Sequence, residues 1–291
     1  MTTSFSPDWL FLRELADHRA RNADVCEAAV AAFKEHQQIS IVDLACGTGS
    51  NLRGLAPLLP LNQTWSLVDS DPVLLSAAQA RLIAVADNVK SIDPLILEKN
   101  GRLITVHFMQ LDLRTEFKRA LQGEIGLVTA AAFFDLVSQN WIIRFCETLS
   151  RLKLPLYATL IYSGEGNWSP HHPADAAVLA AFHKHQSRDK GFGPAAGPQG
   201  ATVLVHTLTG RGYSVSTAAS PWRLCSQNAL HIEALVNGIS EAVSETGLVP
   251  ETIIADWRAA RIRAAQCEIG HIDLFAVPCG QGFQQQSVPR G

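Results

Sequence analysis

Residues 40–51 read Ser40-Ile41-Val42-Asp43-Leu44-Ala45-Cys46-Gly47-Thr48-Gly49-Ser50-Asn51. An apolar run from Ile39 to Leu44 predicts a short strand. The small-residue turn that follows is succeeded by a helical pattern over Asn51 to Leu59, closed by Pro60. Glycines in such a turn permit positive φ and leave no side chain between the backbone and a bound molecule. If the strand belongs to an open parallel sheet, the turn lies at its carboxyl end, where such sheets bind ligands. Asp69 stands 22 residues after Gly47, at the end of the next strand pattern, Thr64 to Val68. A carboxylate there can accept from both hydroxyls of a ribose, or it can cap the helix that follows. Asp43 could likewise cap the turn.

Outward from this unit the alternation continues. Val25, Ala28, Ala29, Ala32 and Phe33 form an apolar helical stripe ahead of it. Asp71-Pro72 opens an alanine-rich helix to about Ala86, with Asp71 as N-cap. Strands are expected at Leu103–Phe108, Ile125–Thr129, Leu154–Tyr162, Tyr213–Ala218 and His271–Val277. Helices are expected at Arg114–Leu121, Phe134–Leu152, Ala174–Gln186, up to about Arg211, and at Asn228–Glu245 and Pro250–Gln266. Strands alternating with helices predict a doubly wound, mostly parallel α/β sheet covered on both faces. The expected organisation is an N-terminal helical cap over 1–38, a domain over 39–278 interrupted by a glycine- and proline-punctuated insertion at 163–200, and a polar tail over 279–291.

Composition bounds the function. Of 291 residues 47% are apolar and 18% charged, which excludes disorder as the main state. Twenty-four Lys and Arg against 27 Asp and Glu leave a charge of −3, so there is no bulk cationic field for a phosphate backbone, and nucleic acid is not the expected partner. No apolar run reaches 18 residues, which disfavours a membrane span, and the N-terminus lacks a signal-peptide pattern. The six cysteines are scattered without a CxxC pair, as expected for reduced thiols in a cytoplasmic protein.

Three ligand classes can be set against the glycine turn. A dinucleotide fingerprint is incomplete, because Leu52 stands at the third glycine and Ala45 at the first position. A phosphate-binding Walker loop lacks its lysine. VDLACGTG instead resembles the first motif, hhDhGxGxG, of the class I S-adenosylmethionine-dependent methyltransferases. WSLVDSDPVLL looks like the second motif of that family and MQLDLRTE like the third. VTAAAFFDLVS stands where the family places its fourth strand and exit loop. The resemblance covers roughly residues 39–162, and the strands at Tyr213 and His271 more loosely. It implies a seven-stranded methyltransferase-like fold with S-adenosylmethionine at Asp43, Ala45, Cys46, Gly47, Thr48, Gly49 and Asn51. Asp69 and Ser70 would meet the ribose, Asp112 and Leu113 the adenine, and Ala130 the methyl end. Asp112 equally suits a helix start, and Phe133 and Phe134 suit either the acceptor or the core.

Ala45 departs from the family's first glycine. The tetrapeptide [DN]PP[FY] is replaced by Ala130-Ala131-Ala132-Phe133, which argues against adenine-N6 chemistry on a nucleic acid. Arg13 and Arg21 precede the fold and could pair with the methionyl carboxylate or lie on a solvated face. Tyr162, Trp168, His183 and Lys190 are candidates for the acceptor site, and Asp135, His171 and His172 for a general base. His183 and His185, two apart on one helix, point to different faces, and no metal site is expected. The expected activity is methyl transfer to oxygen or nitrogen of a small molecule. An RNA or protein methyltransferase and a non-catalytic cofactor-binding scaffold or sensor are the alternatives.

Overall fold

The computed structural model describes residues 5–280. Two helices precede the sheet. α1 (Pro7–Ala20) starts at Ser6, whose hydroxyl accepts from the Trp9 amide. α2 (Ala23–Ala31) starts at Asn22, whose side chain accepts from the Asp24 and Val25 amides. Then follow β1 (Gln38–Leu44), α3 (Ser50–Leu55), β2 (Asn62–Asp69), α4 (Pro72–Val85), β3 (Asn88–Ile92), β4 (Leu95–Lys99), β5 (Arg102–Gln110), α5 (Leu113–Ala120) and β6 (Leu127–Ala131). The second half contains α6 (Gln139–Leu152), β7 (Leu156–Ser169), α7 (Asp175–Gln186), α8 (Gly200–Thr209), β8 (Tyr213–Ala219), β9 (Trp222–Cys225), α9 (Ala229–Ser244), α10 (Glu251–Arg261) and β10 (Gln266–Pro278).

The sheet runs β3-β4-β5-β2-β1-β6-β7-β10-β8, with β9 paired to β10. Strands β5, β2, β1, β6 and β7 are mutually parallel, and β10 runs antiparallel to β7 and β8. This is the expected doubly wound, mostly parallel α/β sheet. Its topological switch point lies between β1 and β6, from which the chain winds outward in both directions. Strand ends diverge there and leave a crevice. Apolar clusters cover both faces, and a third lies beneath α7, α9 and α10. Helix α6 illustrates the cause: Trp141, Ile142, Phe145, Cys146 and Leu149 recur at three- and four-residue spacing, and all are buried. Each such aliphatic or phenyl side chain contributes about 1.5–3 kcal/mol by leaving water.

The strand count is ten rather than the expected seven. The added hairpin, β3 and β4, lies at the sheet edge, where alternate residues of β3 are exposed and the apolar signal is weak. Strand β9 is only four residues long. β7 runs past Tyr162 to Ser169, because β10 starts at Gln266 and pairs with it to the end. The stretch read as an insertion therefore begins as strand. α6 begins at Gln139 rather than Phe134, capped by Ser138, whose hydroxyl accepts from the Trp141 amide.

Candidate active site at the switch point

The turn after β1 places Ala45, Gly47 and Gly49 in the left-handed region, at φ 51°, 53° and 75°. Alanine at the first of these costs about 1–2 kcal/mol in backbone strain. The turn is held by two backbone bonds, from the Cys46 amide to the Val68 carbonyl and from the Gly49 amide to the Cys46 carbonyl. A Cβ on Gly47 would stand 3.0 Å from Cδ1 of Leu10, so α1 lies close over the turn. The Gly47 amide donates to Oδ2 of Asp69 at 2.9 Å and the Asp71 amide to its Oδ1 at 3.0 Å. Burial pushes the Asp69 carboxyl up and these amides draw it back. Asp71 itself caps α4, accepting from the Val73 amide.

Asp43, one residue before the end of β1, is 1% exposed. Its Oδ1 accepts from Asn51 Nδ2 at 2.8 Å, and burial pushes its carboxyl up to about 7 against the pull of Asn51 and Arg21. Asn51 Nδ2 also donates to Thr129 Oγ1, and its Oδ1 accepts from Arg21 Nη2 at 2.7 Å. Oδ2 of Asp43, Oγ1 of Thr48 and Nε and Nη1 of Arg21 are buried without a hydrogen-bond partner among the described residues. All three residues line one cavity of about 570 Å³. An unsatisfied buried polar group costs about 1–3 kcal/mol. An acceptor, a hydroxyl and two guanidinium donors left open around a glycine cradle therefore fit a polar ligand bearing both charges.

The same cavity is lined by Ala45, Cys46, Gly47, Asp69, Ser70, Asp112, Leu113, Arg13, Ala131, Ala132, Phe133 and Lys190, which brings together most of the residues singled out in the sequence. Asp112 also caps α5, accepting from the Arg114 amide at 2.9 Å, and the Arg114 guanidinium beside it lowers its carboxyl. Gly49 and Asn51 hold the turn from behind; Asn51 lines the cavity as well.

Several expected residues fall elsewhere. Ala130 points into the core, at 1% exposure, while Ala131, on the other face of the strand, and Ala132, past the strand end at φ 52°, take the cavity wall. Phe134 is fully buried against Trp141 and Phe145, so only Phe133 of that pair reaches the cavity. Asp135 is buried behind the wall with Oδ1 unpartnered. Burial pushes its carboxyl up to about 6, while Lys190 and Arg13 draw it down. His171 is exposed, and His172 is taken up locally: its amide donates to Asp175 and its Nε2 lies 3.2 Å from Oδ2 of Asp256. Neither histidine lines the cavity, because the Asp175–Arg261 ion pair anchors the start of α7 on the side of α10. Trp168 packs edge-on against Trp257, and Tyr162 pairs its hydroxyl with His183 Nε2 at 3.0 Å; none of Trp168, Tyr162 and His183 lines the cavity.

Sequence reasoning missed Leu10, Asp17, Leu136 and Leu160, all on the cavity wall, which Phe192 of the insertion shares. Leu160 is a non-glycine residue at φ 57° within β7, held there by its amide donating to Oδ1 of Asp273 at 2.8 Å. No local signal marks it, since its partner stands 113 residues away. Among the described residues no group of three or more His, Cys, Asp or Glu could hold a metal ion, and no helix is long and apolar enough to cross a membrane.

No family model matches the chain, and no curated protein matches it. Solved structures do. A cyclopropane synthase from Mycobacterium tuberculosis is similar over 93% of this chain and 94% of its own, at 10% identity and a TM-score of 0.49. The YcgJ protein from Bacillus subtilis is similar over 88% and 99%, at 8% identity and 0.48. An S-adenosylmethionine-dependent methyltransferase from Thiobacillus denitrificans, bound to S-adenosylhomocysteine, is similar over 94% and 100%, at 13% identity and 0.43.

Proposed function

We propose that the chain is a class I S-adenosylmethionine-dependent methyltransferase acting at oxygen or nitrogen of a small-molecule acceptor. One observation carries this reading: open polar atoms on Asp43, Thr48 and Arg21 surround a glycine cradle at the switch point, in the cavity that Asp69 also lines. The quoted motifs of the resembled family fall on this same cradle.

In this reading Asp69 accepts from the ribose hydroxyls while keeping the Gly47 amide on Oδ2. Asp112 and Leu113 flank the adenine, and Arg21 pairs with the methionyl carboxylate through its open Nε and Nη1. Asp43 faces the methionyl ammonium with Oδ2; a cation there would hold the acid ionised despite its burial. The bound cofactor supplies a methyl group already activated on a sulfonium. The protein's own part is then to orient the acceptor and keep out water, with Ala131, Ala132, Phe133, Leu136 and Leu160 forming the apolar wall. A hydroxyl or protonated amine acceptor must also give up a proton. Asp135 is the buried carboxyl nearest that task by chemistry, and a water would have to relay the proton to it from the cavity.

Calorimetric titration of S-adenosylhomocysteine into the wild type and Asp69→Ala tests the reading. Loss of the charge-assisted ribose contact costs about 1.5–3 kcal/mol, tenfold or more in affinity. Asp69→Asn keeps an acceptor for only one of the two amides that Asp69 binds, so a thermal melt beside the titration separates loss of the ribose contact from a collapsed turn. No binding to the wild type withdraws the proposal. Binding without methyl transfer to any small-molecule, RNA or protein substrate, and without slow hydrolysis of the cofactor, favours a sensor or scaffold.

A further inference from the structure

The cavity has a second polar end, distinct from the glycine cradle. Arg13, on α1, is 9% exposed and braced on two sides. Its Nε donates to both oxygens of Asp17, at 3.2 and 2.9 Å, and its guanidinium lies 4.8 Å over the ring of Trp222 on β9. Trp222 in turn donates Nε1 to Asp17 Oδ1 at 2.9 Å, closing a triangle that fixes the guanidinium plane. Among the described residues no hydrogen bond takes up the two terminal nitrogens of Arg13. Lys190, from the segment between α7 and α8, lines the same cavity; no hydrogen bond or ion pair among the described residues occupies its ammonium, and the buried Asp135 carboxyl acts on it through the field alone. Leu136, Leu160, Phe133 and Phe192 supply apolar wall in the same cavity.

Arg21 and Arg13 serve opposite ends. Arg21 is bonded to Asn51 beneath the glycine turn and acts on Asp43 and Asp273. Arg13 acts on Asp135, His231 and His271, on the side of β7, β9 and β10. Burial and Arg13 push both imidazoles down, His231 to about 4 and His271 to about 3, so they stay neutral and add no competing charge. Asp17 is consumed by Arg13 and Trp222.

We propose that Arg13 and Lys190 form an anion clamp for the acceptor, so that the substrate is a small carboxylic acid with an apolar body seated against Phe133, Leu136, Leu160 and Phe192. A preorganised guanidinium with two open donors matches a carboxylate, and an ammonium on a mobile stem closes on it as a point charge. The clamp rests on the methyltransferase reading, since it assigns the acceptor of that site.

The test is calorimetry on protein saturated with S-adenosylhomocysteine, using benzoate, 3-phenylpropionate and hexanoate, each beside its uncharged amide. At least one carboxylate binds with a Kd below about 10 mM, and its amide binds at least about tenfold more weakly. Lys190→Met weakens the carboxylate about five- to tenfold and leaves S-adenosylhomocysteine within about twofold of wild type. Arg13→Lys, which keeps the charge but not the fork, weakens the carboxylate as well, with a thermal melt confirming the fold. Carboxylate and amide bound alike, no carboxylate bound, or Lys190→Met without effect on a bound carboxylate overturns the clamp while the cofactor site stands. Failure of S-adenosylhomocysteine to bind the wild type removes both proposals.

Discussion

The two ends of the cavity are built in opposite ways. At the cradle, the contacts that shape the site join residues close in the chain: Asn51 to Asp43 across 8 residues, Gly47 to Asp69 across 22, Arg21 to Asn51 across 30. At the clamp, Trp222 reaches Asp17 across 205 residues, and Leu160 of its apolar wall reaches Asp273 across 113. A short-range site is specified by a motif and its turn chemistry. A long-range one exists only after the sheet has closed, so its geometry depends on the stability of distant strands. The cradle is therefore expected to tolerate damage to the sheet's far edge, and the clamp is not.

The largest predicted effect breaks that comparison at its joint. Asp273 on β10 is fully buried, and its carboxylate collects three donors from three places: the Leu160 amide, the Ser220 hydroxyl and the Asn22 amide. Asp273→Ala strands all three and is expected to cost about 3–5 kcal/mol, read as a lower urea midpoint. Asp273→Asn keeps an acceptor for the Leu160 amide and should lose about half as much. Equal losses from the two substitutions would mean the carboxylate's charge, not its acceptor geometry, holds the bulge at Leu160.

The same contrast explains what the sequence made legible. The parallel strands, the turn, Asp69 at its strand end and the Asp71 cap all rest on short apolar runs and short-range turn and capping rules, and the structure contains each of them. The hairpin at 88–99 is hard to read because its edge strand β3, half in water, shows little apolar alternation, and β4, whose Leu95 and Leu97 are buried, is only five residues long. His171 and His172 drew attention as polar residues in an insertion, yet Asp175 and Asp256 hold the second of them away from the cavity. Leu160, Asp17 and Trp222 carry no local mark at all, because their roles come from tertiary neighbours.

A pH experiment sharpens the account of Asp135. Its carboxyl stands at about 6 in the folded protein, against about 3.9 for an unperturbed Asp in the unfolded chain. The native state therefore holds the proton more tightly. This group's contribution to stability is fully present below about pH 4 and is lost as pH rises towards 6. The shift corresponds to up to about 3 kcal/mol. Asp135→Asn removes the titration, so the variant should gain on the wild type between about pH 4 and pH 7 in urea denaturation. A difference that does not change with pH would place the group's pKa at its ordinary value, and its burial would then be compensated by Lys190 and Arg13.

Gly49→Ala tests the cradle alone. With φ at 75° and a Cβ that would stand 3.4 Å from that of Ala78, the substitution should destabilise by about 1–2 kcal/mol and weaken S-adenosylhomocysteine with it. Carboxylate affinity of whatever cofactor complex still forms should be preserved.

Trp222→Phe is the smaller counterpart at the clamp. Phenylalanine keeps an aromatic face beneath Arg13 but deletes the Nε1 donor to Asp17, one side of the triangle that fixes the guanidinium. The lost buried bond to a charged acceptor costs about 1–2 kcal/mol of stability, and a guanidinium free to tilt should weaken carboxylate binding a few-fold. The cradle makes no contact with Trp222 through the short-range network of Asp43, Asn51 and Asp69, so S-adenosylhomocysteine should bind as before. If instead both ligands weaken together, α1 transmits the loss from Asp17 through Leu10 to the glycine turn, and the two ends of the cavity act as one unit.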